Sequence, residues 1–279
     1  HQIEEALLVP PILIRMVRDP VVDNYDLRCL KRFSTGAAPV SAEILQQLQQ
    51  KFPWSGFKQG YGMTESCSCI TAHPPTHYDY KYAAAVGMIC ASTEVKIIGE
   101  EGQELGIDTP GELYARGPQI TMGYLNNPKA TAEGYPGGWL RTGDQAMINS
   151  EGLVTITDRI KELIKVKGIG IAPAELEDLL LGHPDVEDCA VISIPDDYSG
   201  EKPKAFVVAK NGGKGSEEAG RQLLKYVRDK KVKHKWMKEV EFVEVIPKSA
   251  SGKILRRVLK VADGSKNVRV VEEDVRAKL

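Results

Sequence analysis

The hydrophobic period of this chain changes twice, near Ala85 and near Lys161, so three stretches of different architecture are expected. Before the first change, Ile12 to Val17 and Glu43 to Phe52 carry apolar residues at helical spacing, and Leu30 to Phe33 reads as a short buried strand between them. Ser41, followed by Ile44, Leu45 and Leu48, predicts an N-cap opening an amphipathic helix. That alternation is an α/β layer over residues 1–84. From Ala85 to Thr157 the pattern becomes short β-type runs broken by Gly, Asn and Pro: Glu94 to Ile98, Gly111 to Ala115 and Leu153 to Ile156. A β-barrel-like subdomain over residues 85–160 is expected. After Lys161 the pattern predicts a helix over Pro173 to Leu181 with proline at its start, strands over Ala190 to Ile194 and Ala205 to Ala209, and a helix over Glu217 to Asp229. The result is a small α+β domain over 161–263 and a flexible tail over 264–279, within an overall α/β class.

With 279 residues, two domains are the default expectation. A formal net charge of −1 gives no whole-protein field that would draw nucleic acid or an anionic membrane, so any anion site must be local. The lysine-rich stretch Lys225 to Lys238 reads as a solvated helical face balanced by Asp229, Glu239 and Glu241, and nucleic acid is not expected as a partner. No apolar run is long enough to cross a bilayer as a helix. Five cysteines (Cys29, Cys67, Cys69, Cys90 and Cys189) at irregular spacing favour reduced thiols. Cys67 and Cys69 lack a second matching pair for zinc. His73 and His77 have helical ligand spacing, but Pro74 and Pro75 between them forbid a regular helix. Asn211 to Ser216 lacks the spacing of a Walker phosphate loop, and Gly60 and Gly62 lack the third glycine of a dinucleotide fingerprint.

Chemistry concentrates elsewhere. Gly36-Ala37-Ala38-Pro39, Gln59-Gly60-Tyr61-Gly62-Met63-Thr64-Glu65, Thr142-Gly143-Asp144, Asp158-Arg159-Ile160-Lys161 and Pro247-Lys248-Ser249-Ala250-Ser251-Gly252-Lys253 follow one another along the chain. In order and surroundings these segments resemble the adenylate-forming acyl-CoA synthetases, most like their 4-coumarate:CoA ligase and luciferase branch. The resemblance runs from the first residues to about Lys260.

It implies the C-terminal part of an adenylation large domain followed by a small lid domain, with ATP or AMP, Mg²⁺ and coenzyme A as the co-substrates and cofactors and a small carboxylic acid as substrate. Gly36, Ala37 and Ala38 match the adenine-binding turn, although a simple strand-to-helix turn ending at Ser41 accounts for the same residues. Gln59, Gly60 and Tyr61 belong to the nucleotide site. Thr64 offers its hydroxyl to the α-phosphate and Glu65 a hard oxygen to Mg²⁺, both chemically suited to the task. Asp144 matches the acceptor of both ribose hydroxyls, and Arg159 the ribose-contacting arginine. Lys161 occupies the hinge, Lys253 the adenylation position, and Lys165 a position tied to thioester formation. The acyl pocket is expected at Ala38, Pro39, Val40 and Gly62. One departure stands out: Lys167-Gly168-Ile169-Gly170 carries glycine where close relatives usually have glutamine.

The family's Ser/Thr/Gly-rich phosphate loop is not in this sequence, and Leu8-Val9-Pro10-Pro11-Ile12 corresponds to the middle of the family's large domain. Truncation or processing is therefore expected, and full ATP-dependent turnover by this chain alone is not. The alternative is a noncatalytic or repurposed relative that binds acyl-adenylate or acyl-CoA or serves as an interaction partner. Exposed core at the cut would favour self-association or a complementing fragment. Ala277-Lys278-Leu279 nearly matches a peroxisomal address, with a cytoplasmic location as the alternative.

Overall fold

A computed structural model describes residues 2–36, 40–210, 215–249, 252–261 and 268–272. Ala37, Ala38 and Pro39 of the expected adenine turn and acyl pocket, Asn211 to Lys214, Ala250 and Ser251, and the Ala277-Lys278-Leu279 end lie outside the described residues. The chain divides into two compact units, His1–Ile160 and Lys161–Leu279.

The first unit opens with β1 (Glu5–Leu7), α1 (Pro10–Arg18), β2 (Arg32–Thr35), α2 (Ala42–Lys51), β3 (Gly56–Met63), β4 (Ser68–Ala72) and β5 (Met88–Ile89). These strands form one sheet in the order β1-β2-β3-β4-β5. Each helix returns the chain across the sheet, so β1, β2 and β3 run parallel, while β4 and β5 follow by antiparallel turns. Ser41 caps α2 as expected, its Oγ accepting the Ile44 N–H at 3.2 Å. The helical apolar stripe then falls inward: Leu13, Leu45 and Leu48 pack on Phe33 and Phe57, all buried. Each such side chain contributes roughly 1.5–3 kcal/mol by leaving water.

The expected β-barrel-like subdomain is a five-stranded antiparallel sheet. Its strands are β6 (Glu94–Ile98), β7 (Glu104–Leu105), β8 (Gly111–Arg116), β9 (Leu140–Ile148) and β10 (Val154–Arg159), with α3 (Pro128–Gly134) inserted before β9. Their order is β10-β9-β8-β6-β7, so β10 and β7 are the end strands. Ile97, Leu113, Ala115, Ala146 and Val154 pack with Ile70 from β4, which joins the two sheets into one body.

The second unit contains β11 (Ile164–Val166), β12 (Ile169–Ile171), α4 (Pro173–Leu181), β13 (Val186–Asp196), β14 (Gly200–Ala209), α5 (Glu217–Lys230), β15 (Glu239–Phe242), α6 (Arg256–Val261) and β16 (Arg269–Val271). Both faces of its sheet are covered. Leu176 and Leu180 of α4 and Leu223, Leu224 and Val227 of α5 pack on Val191, Val207 and Val240. Leu259 of α6 and Ile246 pack with Ala190, Ile192 and Phe206 in a separate cluster. Near-continuous apolar runs in β13 and β14 follow from this double burial.

Two expectations need correction here. Arg269–Val271, placed in a flexible tail, pairs with β15 as β16, because its β-branched Val270 is buried and Arg269 forms an ion pair with Glu239. Glu239 and Glu241 do not balance the lysine-rich face: both are buried and pair with Lys204, at 2.6 and 2.5 Å. Asp229 does pair with Lys225 as expected, and the other acids on that face are Glu175, on Lys231 and Lys235, and Asp196, on Lys238.

At the edge of the first sheet, Glu5 ties three parallel strands together. Its carboxylate accepts from Ser34 Oγ and from Arg32 on β2, and from Lys58 on β3 at 3.0 Å. These donors, the Ser34 hydroxyl foremost, lower its pKa from about 4.5 to about 2. A carboxylate whose folded pKa is depressed stabilises the fold above its unfolded pKa and loses that stabilisation as pH falls through the folded value. We therefore expect Glu5→Gln to unfold at lower urea than the parent at pH 7, with the difference shrinking between pH 4.5 and pH 2. Because about a third of the side chain faces solvent, the gap should also narrow in high salt. A constant gap across that pH range would contradict this assignment.

Candidate functional site

The β3–β4 connection is a tightly constrained turn. Thr64 to Ser66 form a single 3₁₀ turn. Ser66, fully buried, accepts the Met63 N–H at 3.0 Å and donates to the Ser68 carbonyl at 2.7 Å, closing the turn on itself. The β3–β4 register shifts between Tyr61 and Gly62, and a Cβ on Gly62 would collide with the Ser68 carbonyl. Glycine there is what lets the two strands approach. Thr64 is left exposed and Glu65 half-buried beside it. Tyr124, from the loop before α3, donates its hydroxyl to Glu65 Oε1 at 2.8 Å. This contact pushes the Tyr124 phenol up to about 12.

Asp144 lies on β9 and is 6 % exposed. A buried carboxylate must be paired, and the pairing comes from two strands. Tyr61 of β3 donates its hydroxyl to Oδ2 at 2.6 Å, and Arg159 of β10 places Nε 3.4 Å from Oδ1. Burial, and secondarily the Asp144 charge, raises the Tyr61 pKa well above its ordinary value, so the hydroxyl remains a donor. The backbone N–H of Asp144 bonds Thr142 Oγ1, whose proton goes to the Leu113 carbonyl at 2.7 Å.

Arg159 faces Asp144 because of a bulge. Ile156 pairs with Ala146, but Asp158 then pairs with Gln145 and Arg159 with Asp144, so Thr157 is the extra residue. Without it the regular register would set Asp158, a like charge, opposite Asp144. Thr157 is held out of the ladder by its hydroxyl, which bonds the Gln145 carbonyl and Oε1.

The remaining expected residues of this unit are placed as follows. Gly36 follows β2 directly and lies against Gly60, whose carbonyl would be 3.4 Å from a Cβ at Gly36. Gln59 is buried and gives its side-chain amide to the carbonyls of Ala83 and Ala85, at 2.8 and 2.7 Å. Its backbone N–H bonds His73 Nδ1, and His73 Nε2 bonds the Tyr82 carbonyl, so the ring is committed at both nitrogens. Val40 is partly buried against the α1–α2 core.

In the second unit, Lys161 is exposed at its start and Lys165 is exposed on β11, opposite Gly170 of β12. The Lys165 N–H donates to Glu201 at 2.8 Å. Lys253 ends a turn closed by Ser249, which bonds Lys253 through both its backbone N–H and its Oγ, with Gly252 at φ +85°. Directly after that turn Arg256 spends its guanidinium on three residues of two elements and a connecting turn. It binds both oxygens of Glu177 on α4 at 2.8 and 2.9 Å, Glu162 near the unit's start at 2.9 Å and the Val191 carbonyl of β13 at 3.1 Å.

Sequence reasoning missed Tyr124, which is separated from Glu65 by 59 positions, and the anchoring work of Arg256. For Arg256 a signal existed in its place directly after the Gly252-Lys253 turn; for Tyr124 none did. As to a metal, no cluster of three or more ligating side chains occurs among the described residues. Glu65 offers a single carboxylate, which fits Mg²⁺ carried in on nucleotide phosphates better than a metal caged by protein.

Comparison with known proteins gives the family. Residues 1–125 match the family model of AMP-binding enzymes, and residues 175–253 that of the AMP-binding enzyme C-terminal domain. A 4-coumarate–CoA ligase-like protein of Oryza sativa subsp. japonica is 43% identical over 267 residues, covering 93% of this chain and 47% of the relative. A 4-coumarate-CoA ligase of Narcissus pseudonarcissus is 42% identical over 265 residues, covering 93% and 48%. The chain thus spans about half the length of the curated relatives it matches. Among solved structures, the o-succinylbenzoate CoA synthetase of Bacillus subtilis in complex with its acyl-adenylate intermediate superposes with a TM-score of 0.80 at 28% identity, over 95% of this chain and 52% of that one.

The Arg256 geometry makes a direct prediction. Arg256→Ala strips the bidentate partner from a Glu177 side chain that is 11% exposed, and loss of one member of a buried pair costs about 3–5 kcal/mol. Urea denaturation should show a loss of this size for Arg256→Ala, with Arg256→Lys recovering only part of it because a single ammonium nitrogen cannot reach Glu177, Glu162 and the Val191 carbonyl as the three guanidinium nitrogens do. A loss under 1 kcal/mol would contradict the anchoring role.

Proposed function

The chain belongs to the adenylate-forming acyl-CoA synthetase superfamily, and from that premise we propose that it serves ATP-dependent activation of a small carboxylic acid followed by thioester formation with coenzyme A. The single observation that carries this reading is the hydrogen bond from Tyr61 to Asp144, which joins two residues 83 positions apart that are both expected at the nucleotide site.

In the first step the substrate carboxylate attacks the α-phosphorus of ATP, the bond to the β-phosphate oxygen breaks, and pyrophosphate leaves. Charge accumulates on the α-phosphoryl oxygens, where fixed donors act most strongly. Thr64 supplies a hydroxyl there and Lys253 an ammonium on a long stem. Asp144 accepts the two ribose hydroxyls and Arg159 steadies that carboxylate, so the nucleotide is oriented before the attack. Mg²⁺ bound through Glu65 supplies neutralisation of phosphate charge. In the second step the coenzyme A thiolate attacks the acyl carbonyl carbon and AMP leaves. Lys165, on β11 and not on the Lys253 turn, serves this step, with Lys161 as the pivot between the two arrangements. Gly36 borders the base, and Val40 and Gly62 border the acyl group.

Separable lysine roles test this reading. Lys253→Ala should lower adenylate formation by about 10²-fold or more while sparing thioester formation from a supplied acyl-adenylate. Lys165→Ala should mainly slow the thioester step. Single-turnover measurement of both half-reactions decides it, and equal, small effects of both substitutions on both steps would favour a binding protein over a two-step ligase.

A further inference from the structure

Glu65 is gripped at two points by one loop. The Thr121 N–H donates to the Glu65 carbonyl at 2.8 Å, and the Tyr124 hydroxyl donates to Glu65 Oε1 at 2.8 Å. Among the described residues, Tyr124 is the side chain that hydrogen-bonds this carboxylate.

The loop is braced to hold that position. The Tyr124 N–H bonds Thr131 Oγ1 at 2.9 Å, and Asn127 caps α3 by accepting the Ala130 N–H at 3.1 Å. Thr121 and Tyr135 share a hydroxyl–hydroxyl bond of 2.6 Å, and the Tyr135 ring lies edge-on to Tyr124 at 5.9 Å between centroids. Gly123 sits at φ +142° with the Thr131 side chain where a Cβ would fall, so the bend admits glycine alone without rearrangement. Such bracing exceeds what a surface loop needs simply to connect β8 to β9.

We propose that Tyr124 is a positioning residue for the cation that accompanies the nucleotide: by holding Oε1 it fixes the Glu65 carboxylate plane and leaves Oε2 to the metal. This rests on the reading of Glu65 as the Mg²⁺ ligand. Carboxylates that ligate metals are commonly fixed by an outer hydrogen bond, and losing that bond weakens metal affinity. The phenol hydroxyl donates its one proton to the carboxylate. It is also neutral, so it orients the carboxylate without competing with the metal's charge as a lysine would.

The test uses the full chain and reads binding, not turnover. ATP affinity is measured by calorimetry in EDTA and at saturating Mg²⁺, and the ratio of the two dissociation constants is the metal coupling. Tyr124→Phe keeps the ring against Tyr135 and removes only the hydroxyl. It should cut the coupling by about tenfold while leaving the EDTA affinity within about twofold of the parent. Glu65→Gln, run alongside, should abolish the coupling. Coupling unchanged in Tyr124→Phe but lost in Glu65→Gln overturns the inference and spares the Glu65 reading. Coupling retained in Glu65→Gln, or no nucleotide binding by the parent, overturns the reading and the inference with it. Equal weakening of both affinities in Tyr124→Phe would make Tyr124 a scaffold residue and also overturn the proposal.

Discussion

The first unit depends on the pairing of one buried carboxylate. Asp144 is shielded from water, and an ionised carboxylate in that position is tolerable only with charge and hydrogen bonds aimed at it. Tyr61 and Arg159 supply them from β3 and β10, which belong to different sheets. The same contact that makes the carboxylate bearable therefore sets the α/β layer against the antiparallel sheet. It also leaves the carboxylate preorganised: its two oxygens are already held in a fixed plane, as an acceptor for a pair of vicinal hydroxyls must be. A ligand offering two such hydroxyls would exchange one set of donors for another, at little cost in reorganisation.

The second unit solves a parallel problem with a cation. Arg256 has five N–H donors in a rigid fork, and the fold gives it two carboxylates and a carbonyl drawn from α4, β13 and the turn before β11. Arg256 opens α6, three residues past Lys253. The buried Lys204, Glu239 and Glu241 cluster, with Arg269 on Glu239, fixes β14, β15 and β16 in register and takes no part in the proposed chemistry.

Much of this was legible from residue order. Ser41 and Pro173 mark helix starts through their own chemistry, and α2 and α4 begin where those residues say. The strands Glu94–Ile98 and Gly111–Arg116 announce themselves by β-branched and alternating residues. Other elements were silent for physical reasons. The strands β3 and β4 are rich in Gly, Gln, Ser and Cys because backbones approach closely there, which erases the hydrophobic period. The Thr157 bulge is one residue in an otherwise regular strand, and its effect, exchanging Asp158 for Arg159 opposite Asp144, appears only once the partner register is known. Gln59, expected at the nucleotide site, gives its side-chain donors to the Ala83 and Ala85 carbonyls; a side chain's hydrogen-bond partners across 24 and 26 positions leave no local trace. Tyr124 escaped notice on the same ground.

The central claim is that Asp144 is a ribose acceptor held ready by its neighbours. Calorimetric titration of AMP into the parent chain and into Asp144→Asn tests it most directly, since the amide is isosteric but offers a single acceptor oxygen and no charge. If the claim holds, AMP binds the parent measurably and Asp144→Asn weakens it by tenfold or more, about 1.4 kcal/mol, while 2′,3′-dideoxy-AMP binds both proteins equally poorly. Equal AMP affinity in the two proteins, with the fold of Asp144→Asn intact by circular dichroism, would contradict it.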